Sequence, residues 1–186
     1  MRPTDEELRR MADENAIREV IHRYCRAIDR RQFNDLRSCY HPEGTDHHGD
    51  FYGGVDAFIA YVEERLPAFE SSMHFVGNLH IEVDGDRARS EAYTLALARL
   101  PATGDLPERD NTVALRYVDD FRRVDGRWAI LHRKCVYEWT RTDPVPAGWS
   151  FTPHHLRGRP DRQDTVYAAD LSDAPVLPEE PEFRAL

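Results

Sequence analysis

The chain changes its hydrophobic period once, near residue 74, and this change limits what it can fold into. Before that point apolar residues recur every three or four positions; after it they alternate. Period 3.6 buries one stripe of a helix, and period 2 buries one face of a strand. Helices followed by a run of hairpins predict an α+β domain, with the helices packed on one side of an antiparallel sheet that curls around a cavity.

The helical part opens on "TDEELRRMADENAIREVIHRYCRAIDRR", where Thr4 followed by Glu7 makes a capping box. Ile17, Val20, Ile21, Tyr24 and Ile28 form one apolar face, which predicts a long helix to about Arg31, interrupted near residues 13–15. "QFNDLRSCYH" predicts a short second helix that stops at "HPEGT", and "GGVDAFIAYVEERLPAF" a third that Pro67 ends. Leu79, Ile81 and Val83, then Tyr93, Leu95 and Leu97, predict two strands joined at Asp84-Gly85. A second pair is joined at Asp125-Gly126, and Asp-Gly between alternating runs is a strong hairpin signal. Residues 101–111 read as a loop. The domain is expected to span 1–142, and the Pro-rich, charged stretch 143–186 to form an extended tail.

Acids outnumber bases by 34 to 25, a formal charge of −9, which excludes a phosphate-backbone partner because that affinity needs clustered Lys and Arg. No apolar run approaches the ~20 residues that cross a bilayer, and "MRPTDEELRRMADENA" has no apolar leader core. Cys25, Cys39 and Cys135 lack metal or disulfide spacing and suit a reducing cytoplasm.

Two residues stand out as chemistry. Asp29 closes the apolar face of the first helix, and a carboxylate turned inward there needs a partner. The alternative is a helix-end Asp bonded to nearby backbone. His74, in "SSMHFVGN", is either a satisfied structural histidine or a proton carrier. Were the two to meet, the carboxylate would fix the imidazole tautomer and leave the second nitrogen as a base. Tyr24, His48 and Asn78 are candidates to assist a leaving group, although Gly77-Asn78 also reads as a turn. Phe33, Phe58, Phe75 and Tyr93 are candidate cavity residues, or simply core. His41, Asp46, His47, His48 and Asp50 are dense, but neighbouring strand residues face opposite ways and the H-x-x-x-H spacing is missing, so no metal is expected. As a strand, this stretch puts Asp46 and His48 on one face and His47 in solvent.

"IREVIHRYCRAIDRRQFNDLRSCYHPEGTDHHGDFYGG", "SSMHFVGN" and "DGDRARSEAY", in this order, resemble the SnoaL-like branch of the nuclear-transport-factor-2-like superfamily over residues 10–140. Their spacing is similar to that of its scytalone dehydratase and gamma-hexachlorocyclohexane dehydrochlorinase families. The resemblance implies a cone-shaped, curved mixed sheet wrapped by N-terminal helices around an apolar pocket, and a homodimer or homotrimer. In the lyase members it implies an Asp–His dyad, which falls here on Asp29 of "AIDRR" and His74. It puts Arg123 of "FRRVDGRW" at a leaving-group arginine, Tyr24 where the dehydrochlorinases have a lysine, and His48 where the dehydratases have a water-holding tyrosine. A second dehydratase histidine has no counterpart; only Arg99 stands near its place.

The expectation is a cytoplasmic, cofactor-independent lyase or isomerase, in which His74 abstracts a proton from a hydrophobic cyclic small molecule. The alternatives are a non-catalytic binding or subunit module of the same fold, and a polyketide cyclase.

Overall fold

The computed structural model describes residues 2–146, 151 and 155–172. Helix α1 runs Asp5–Asp29 without interruption. Thr4 accepts the Glu7 N–H and the Glu7 carboxylate takes the Thr4 N–H, the reciprocal cap expected. The polar residues near 13–15 do not break α1, because Asp13 is used inward: it accepts from Arg123 and from the Trp128 indole. Helix α2 is Phe33–Ser38 and α3 is Val55–Arg65, followed by a 3-10 turn at Leu66–Ala68 that contains Pro67.

Six strands follow the order β2-β1-β6-β5-β4-β3, with β1 Tyr40–His48, β2 Phe51–Gly54, β3 Ser71–Asp84, β4 Arg87–Leu100, β5 Arg109–Val124 and β6 Arg127–Pro144. All neighbours are antiparallel except β1 and β6, so the sheet is mixed; it curves over the helices without closing into a barrel. Both Asp-Gly hairpins form. Asp125 and Gly126 have φ of 50° and 74°, the left-handed pair that a two-residue I′ turn demands.

The β1–β2 hairpin departs from the expectation that "HPEGT" merely ends α2; it lies within β1. The pairing of β1 with β6 shifts between Tyr40 and Thr45, which breaks the alternation that marks a strand. Gly44 sits in that irregularity, where a Cβ would meet the His41 carbonyl at 2.8 Å. Likewise Gly77-Asn78 is a bulge inside β3, between Val76 and Leu79, and no turn; β3 therefore starts at Ser71 and carries His74 within it.

The second correction concerns which face of β4 is buried. Tyr93, Leu95 and Leu97 point outward, while Ala88, Ser90, Ala92 and Thr94 are buried toward the helices. Small residues belong on that inner face because Tyr117 and Phe121 of β5 and the apolar stripe of α1 already fill it. The outer face thus exposes Met73, Phe75, Tyr93, Leu95 and Trp139, while Trp128 is buried.

Part of the expected tail is packed onto the domain. Arg30 pairs with Asp164 at 3.4 Å, Arg157 with Glu70 at 2.8 Å, and the Arg26 guanidinium covers the Tyr167 ring. Residues 147–150, 152–154 and 173–186 of the expected tail lie outside the described residues. Asp164 accepts the Arg159 and Val166 N–H groups, and these bonds, with Arg30 nearby, hold its carboxyl below the usual range. A depressed folded value stabilises docking at neutral pH; that contribution fades as the pH drops through the ordinary aspartate range and is gone below the folded value. The Arg159 and Val166 amide resonances are expected to titrate together, below the value of a free aspartate; titration at the free value would contradict this anchor.

Candidate active site

Asp29 is the last residue of α1, where the negative end of the helix dipole disfavours a carboxylate. Three donors hold it there. The His74 backbone N–H reaches Oδ2 at 2.9 Å, His74 Nδ1 lies 2.7 Å from Oδ1, and the Ser72 hydroxyl donates to Oδ1 at 3.1 Å. Ser72 and His74 are two apart on β3, so both face inward beside the helix end. A carboxylate accepts, so Nδ1 carries the proton and Nε2 keeps its lone pair, an assignment that rests on the partner's character. Arg31, at φ 51°, turns the chain after the helix and donates to the Leu66 and Phe69 carbonyls, which ties down the end of α1.

The dyad borders a cavity of ≈ 830 Å³ between the end of α1, the adjoining ends of β3, β4 and β5, and residues 156–160 of the tail. Its lining is mixed. Cys25, Val76, Ala98 and Leu156 are apolar, while the arginines at its rim are paired: Arg99 with Asp110 and Glu108, Arg30 with Asp164, Arg157 with Glu70. Burial pushes the Cys25 thiol up to about 12, so it offers no nucleophile at neutral pH.

The other expected site residues lie elsewhere. Tyr24, 1% exposed, packs in the interior between Tyr40, Phe58 and Tyr117. His48 stacks on Phe58 and is directed at Asp46 and Cys135; as expected it shares the inner face with Asp46 while His47 is exposed. Asn78 is exposed at the β3 bulge, and Tyr93 is on the outer face beside Arg116. Arg123 is furthest from the proposal made for it. It binds Asp13, Asp86 and the Gly85 carbonyl and stacks on Trp128. Asp13 and Asp29 are 16 residues apart on one helix, ~24 Å along its axis. Arg123 therefore anchors α1 to the β3–β4 hairpin. Phe58 is core, whereas Phe75, largely exposed, is among the residues lining the cavity beside the dyad.

The interior holds an arginine that sequence reasoning missed. Arg133 makes two 2.7 Å bonds to Asp119, and its guanidinium is sandwiched between the Tyr24 and Tyr117 rings at 3.9 and 4.0 Å. The signal for Asp119 was its place between Tyr117 and Phe121 on one face; that for Arg133 was hidden by the register shift at Asp120/Phe121.

A helix-wrapped curved sheet with a carboxylate–imidazole pair at the cavity edge defines an architecture shared by many small domains. Residues 9–134 match the SnoaL-like domain model, and the chain belongs to that family, within the nuclear-transport-factor-2-like superfamily. An uncharacterized protein of Mycobacterium tuberculosis is 29% identical over 128 residues, 66% of this chain and 84% of that protein. Among solved structures, a hexachlorocyclohexane dehydrochlorinase of Novosphingobium barchaimii is 22% identical with TM-score 0.66, covering 78% of this chain and 98% of that one. A candidate scytalone dehydratase of Novosphingobium aromaticivorans is 21% identical with TM-score 0.65, covering 76% and 97%. No helix among the described residues is long and apolar enough to cross a membrane.

Proposed function

We propose that the protein is a cytoplasmic lyase or isomerase that begins its reaction by taking a proton from a hydrophobic, cyclic small molecule. The observation that carries this reading is the 2.7 Å contact of His74 Nδ1 with Asp29 at the edge of a cavity large enough for such a molecule. His74 Nε2 takes the proton from a carbon beside an electron-withdrawing group, and Asp29 stabilises the imidazolium that forms. Loss of hydroxide or halide from the neighbouring carbon gives dehydration or dehydrohalogenation; return of the proton to another carbon gives isomerisation. The dehydrochlorinase and scytalone dehydratase names among the structural neighbours support this class of chemistry. The chemistry draws on the dyad alone and on no redox or organic cofactor.

The test is a panel of cyclic halides, hydroxyketones and unsaturated ketones assayed with wild type and His74→Gln. Turnover by the wild type that the variant loses is the expected result. Equal turnover by both would end the dyad mechanism.

A non-catalytic module of the same fold is the second reading. It is favoured by the interior around Tyr24, which side chains fill, and by the apolar outer face. Under either reading, that face is assigned to a second copy of the chain. Its charges are already matched within the sheet, Arg89 with Asp120 and Arg116 with Glu91 and Glu138, so two such faces meet without net repulsion. Light scattering should find a homodimer or homotrimer, and Trp139→Glu should shift it to monomer; a monomeric wild type would contradict the assignment.

A further inference from the structure

Across the sheet from the dyad, past β4 and β5, three metal-ligating side chains converge on β1 and β6. Asp46 and His48 are two apart on β1 and share its inner face; Cys135 is on the parallel neighbour β6. His48 Nδ1 lies 3.2 Å from Cys135 Sγ and 3.6 Å from Asp46 Oδ1, and all three donor atoms fall within 4.8 Å of one another. Asp46 is fully buried. Its Oδ2 accepts from the Tyr40 hydroxyl, while its Oδ1 has no hydrogen-bond partner among the described residues.

Hydrogen bonding alone cannot satisfy this cluster. With its proton on Nδ1, His48 faces Asp46 Oδ1 at a distance too long for a bond, and it cannot also accept from the Cys135 thiol. With a lone pair on Nδ1, it accepts from the thiol and leaves Asp46 Oδ1 buried and unpaired. Each tautomer strands a polar atom, and a stranded carboxylate oxygen in a dry interior is expensive. A cation serves all three at once.

The geometry points to a zinc site formed by Asp46, His48 and Cys135. Zinc–nitrogen and zinc–oxygen bonds of ~2.1 Å and zinc–sulfur bonds of ~2.3 Å put tetrahedral donors about 3.4–3.6 Å apart. Two of the separations, 3.2 and 3.6 Å, lie at or near that range, and the third is no longer than 4.8 Å. The ligand set mixes thiolate, imidazole and carboxylate, which suits a borderline dication better than magnesium or calcium, both of which prefer oxygen. Carboxylate and thiolate together neutralise the dication, and the thiol proton leaves to solvent on binding. The Tyr40 hydroxyl, bonded to the far carboxylate oxygen, orients Asp46 as an outer partner would. Three protein ligands leave a fourth position for water or a small anion.

This inference is independent of the dyad and replaces the expectation of no metal. That expectation weighed the donors between residues 41 and 50 apart from the cysteines, which lack metal spacing among themselves; Cys135 is 87 positions beyond His48 in the chain. The test uses untagged protein, stripped with chelator and reloaded with Zn²⁺ or Co²⁺. One equivalent should be retained after dialysis, and the Co²⁺ form should show a thiolate charge-transfer band with tetrahedral ligand-field bands. Cys135→Ser should remove the charge-transfer band, and it and His48→Ala should each weaken binding by at least ~100-fold; Cys39→Ala should change neither. Failure of the stripped wild type to retain an equivalent would overturn the site, as would a Co²⁺ spectrum that Cys135→Ser leaves unchanged. Should Cys135→Ser fold poorly, the wild-type stoichiometry and spectrum decide alone.

Discussion

Asp119→Ala should destabilise the fold by about 3–5 kcal/mol, the usual cost of leaving one partner of a buried pair uncompensated. Both side chains of the Arg133–Asp119 pair are 0% exposed, so water cannot replace the lost carboxylate. Burial alone pushes the Asp119 carboxyl up, and the Arg133 guanidinium opposes it; the two short bonds require the charged form of both. The pair also carries aromatic packing, because the guanidinium separates Tyr24 of α1 from Tyr117 of β5. Its loss should loosen the helix against the sheet. Replacing both partners together, as Asp119→Leu with Arg133→Met, should recover most of the loss, since removing a whole buried pair is often nearly neutral. Urea unfolding of the two single variants and the double variant checks this. A single substitution costing under about 1 kcal/mol would mean that water reaches the pair.

The second large effect is expected at the dyad. Removing a general base slows a reaction by about 10²–10⁴-fold, and His74→Gln should fall in that range in kcat with little change in KM. Asp29→Asn is more informative. The amide can still sit between the Ser72 hydroxyl and the His74 backbone N–H, so the fold should hold. It no longer stabilises an imidazolium, and its NH2 group can favour the wrong ring tautomer. Activity should drop nearly as far as in His74→Gln, and the double variant should be little worse than either single one, because the two groups act as one unit. Additive losses would separate Asp29 from the proton transfer.

The switch from period 3.6 to period 2, the two Asp-Gly turns and the capping box made the α+β order legible from residues alone. The meeting of Asp29 and His74 was legible only through family resemblance, because nothing local says that a helix end and a strand 45 residues away come together. Much of what stayed hidden has one physical cause: irregular strands. The shift in β1 concealed that the strand begins at Tyr40 and runs through "HPEGT", the bulge at Gly77-Asn78 looked like a turn, and the shift in β5–β6 put Arg133 and Cys135 out of phase. Alternation in β4 had the right period and the wrong face, since the larger residue of each pair is not the buried one where the helix and β5 leave little room. Arg123 was misplaced because an arginine beside "VDGRW" gives no hint that its partner is Asp13, 110 residues earlier.

Proton abstraction by His74 is most directly tested in D2O. A cyclic substrate from the panel, recovered before completion or followed through to product, should gain deuterium at the carbon beside its electron-withdrawing group, or show a primary isotope effect when that carbon is deuterated in advance. His74→Gln should abolish both signals. Turnover with neither signal in the wild type, or deuterium uptake that His74→Gln leaves intact, would contradict the account.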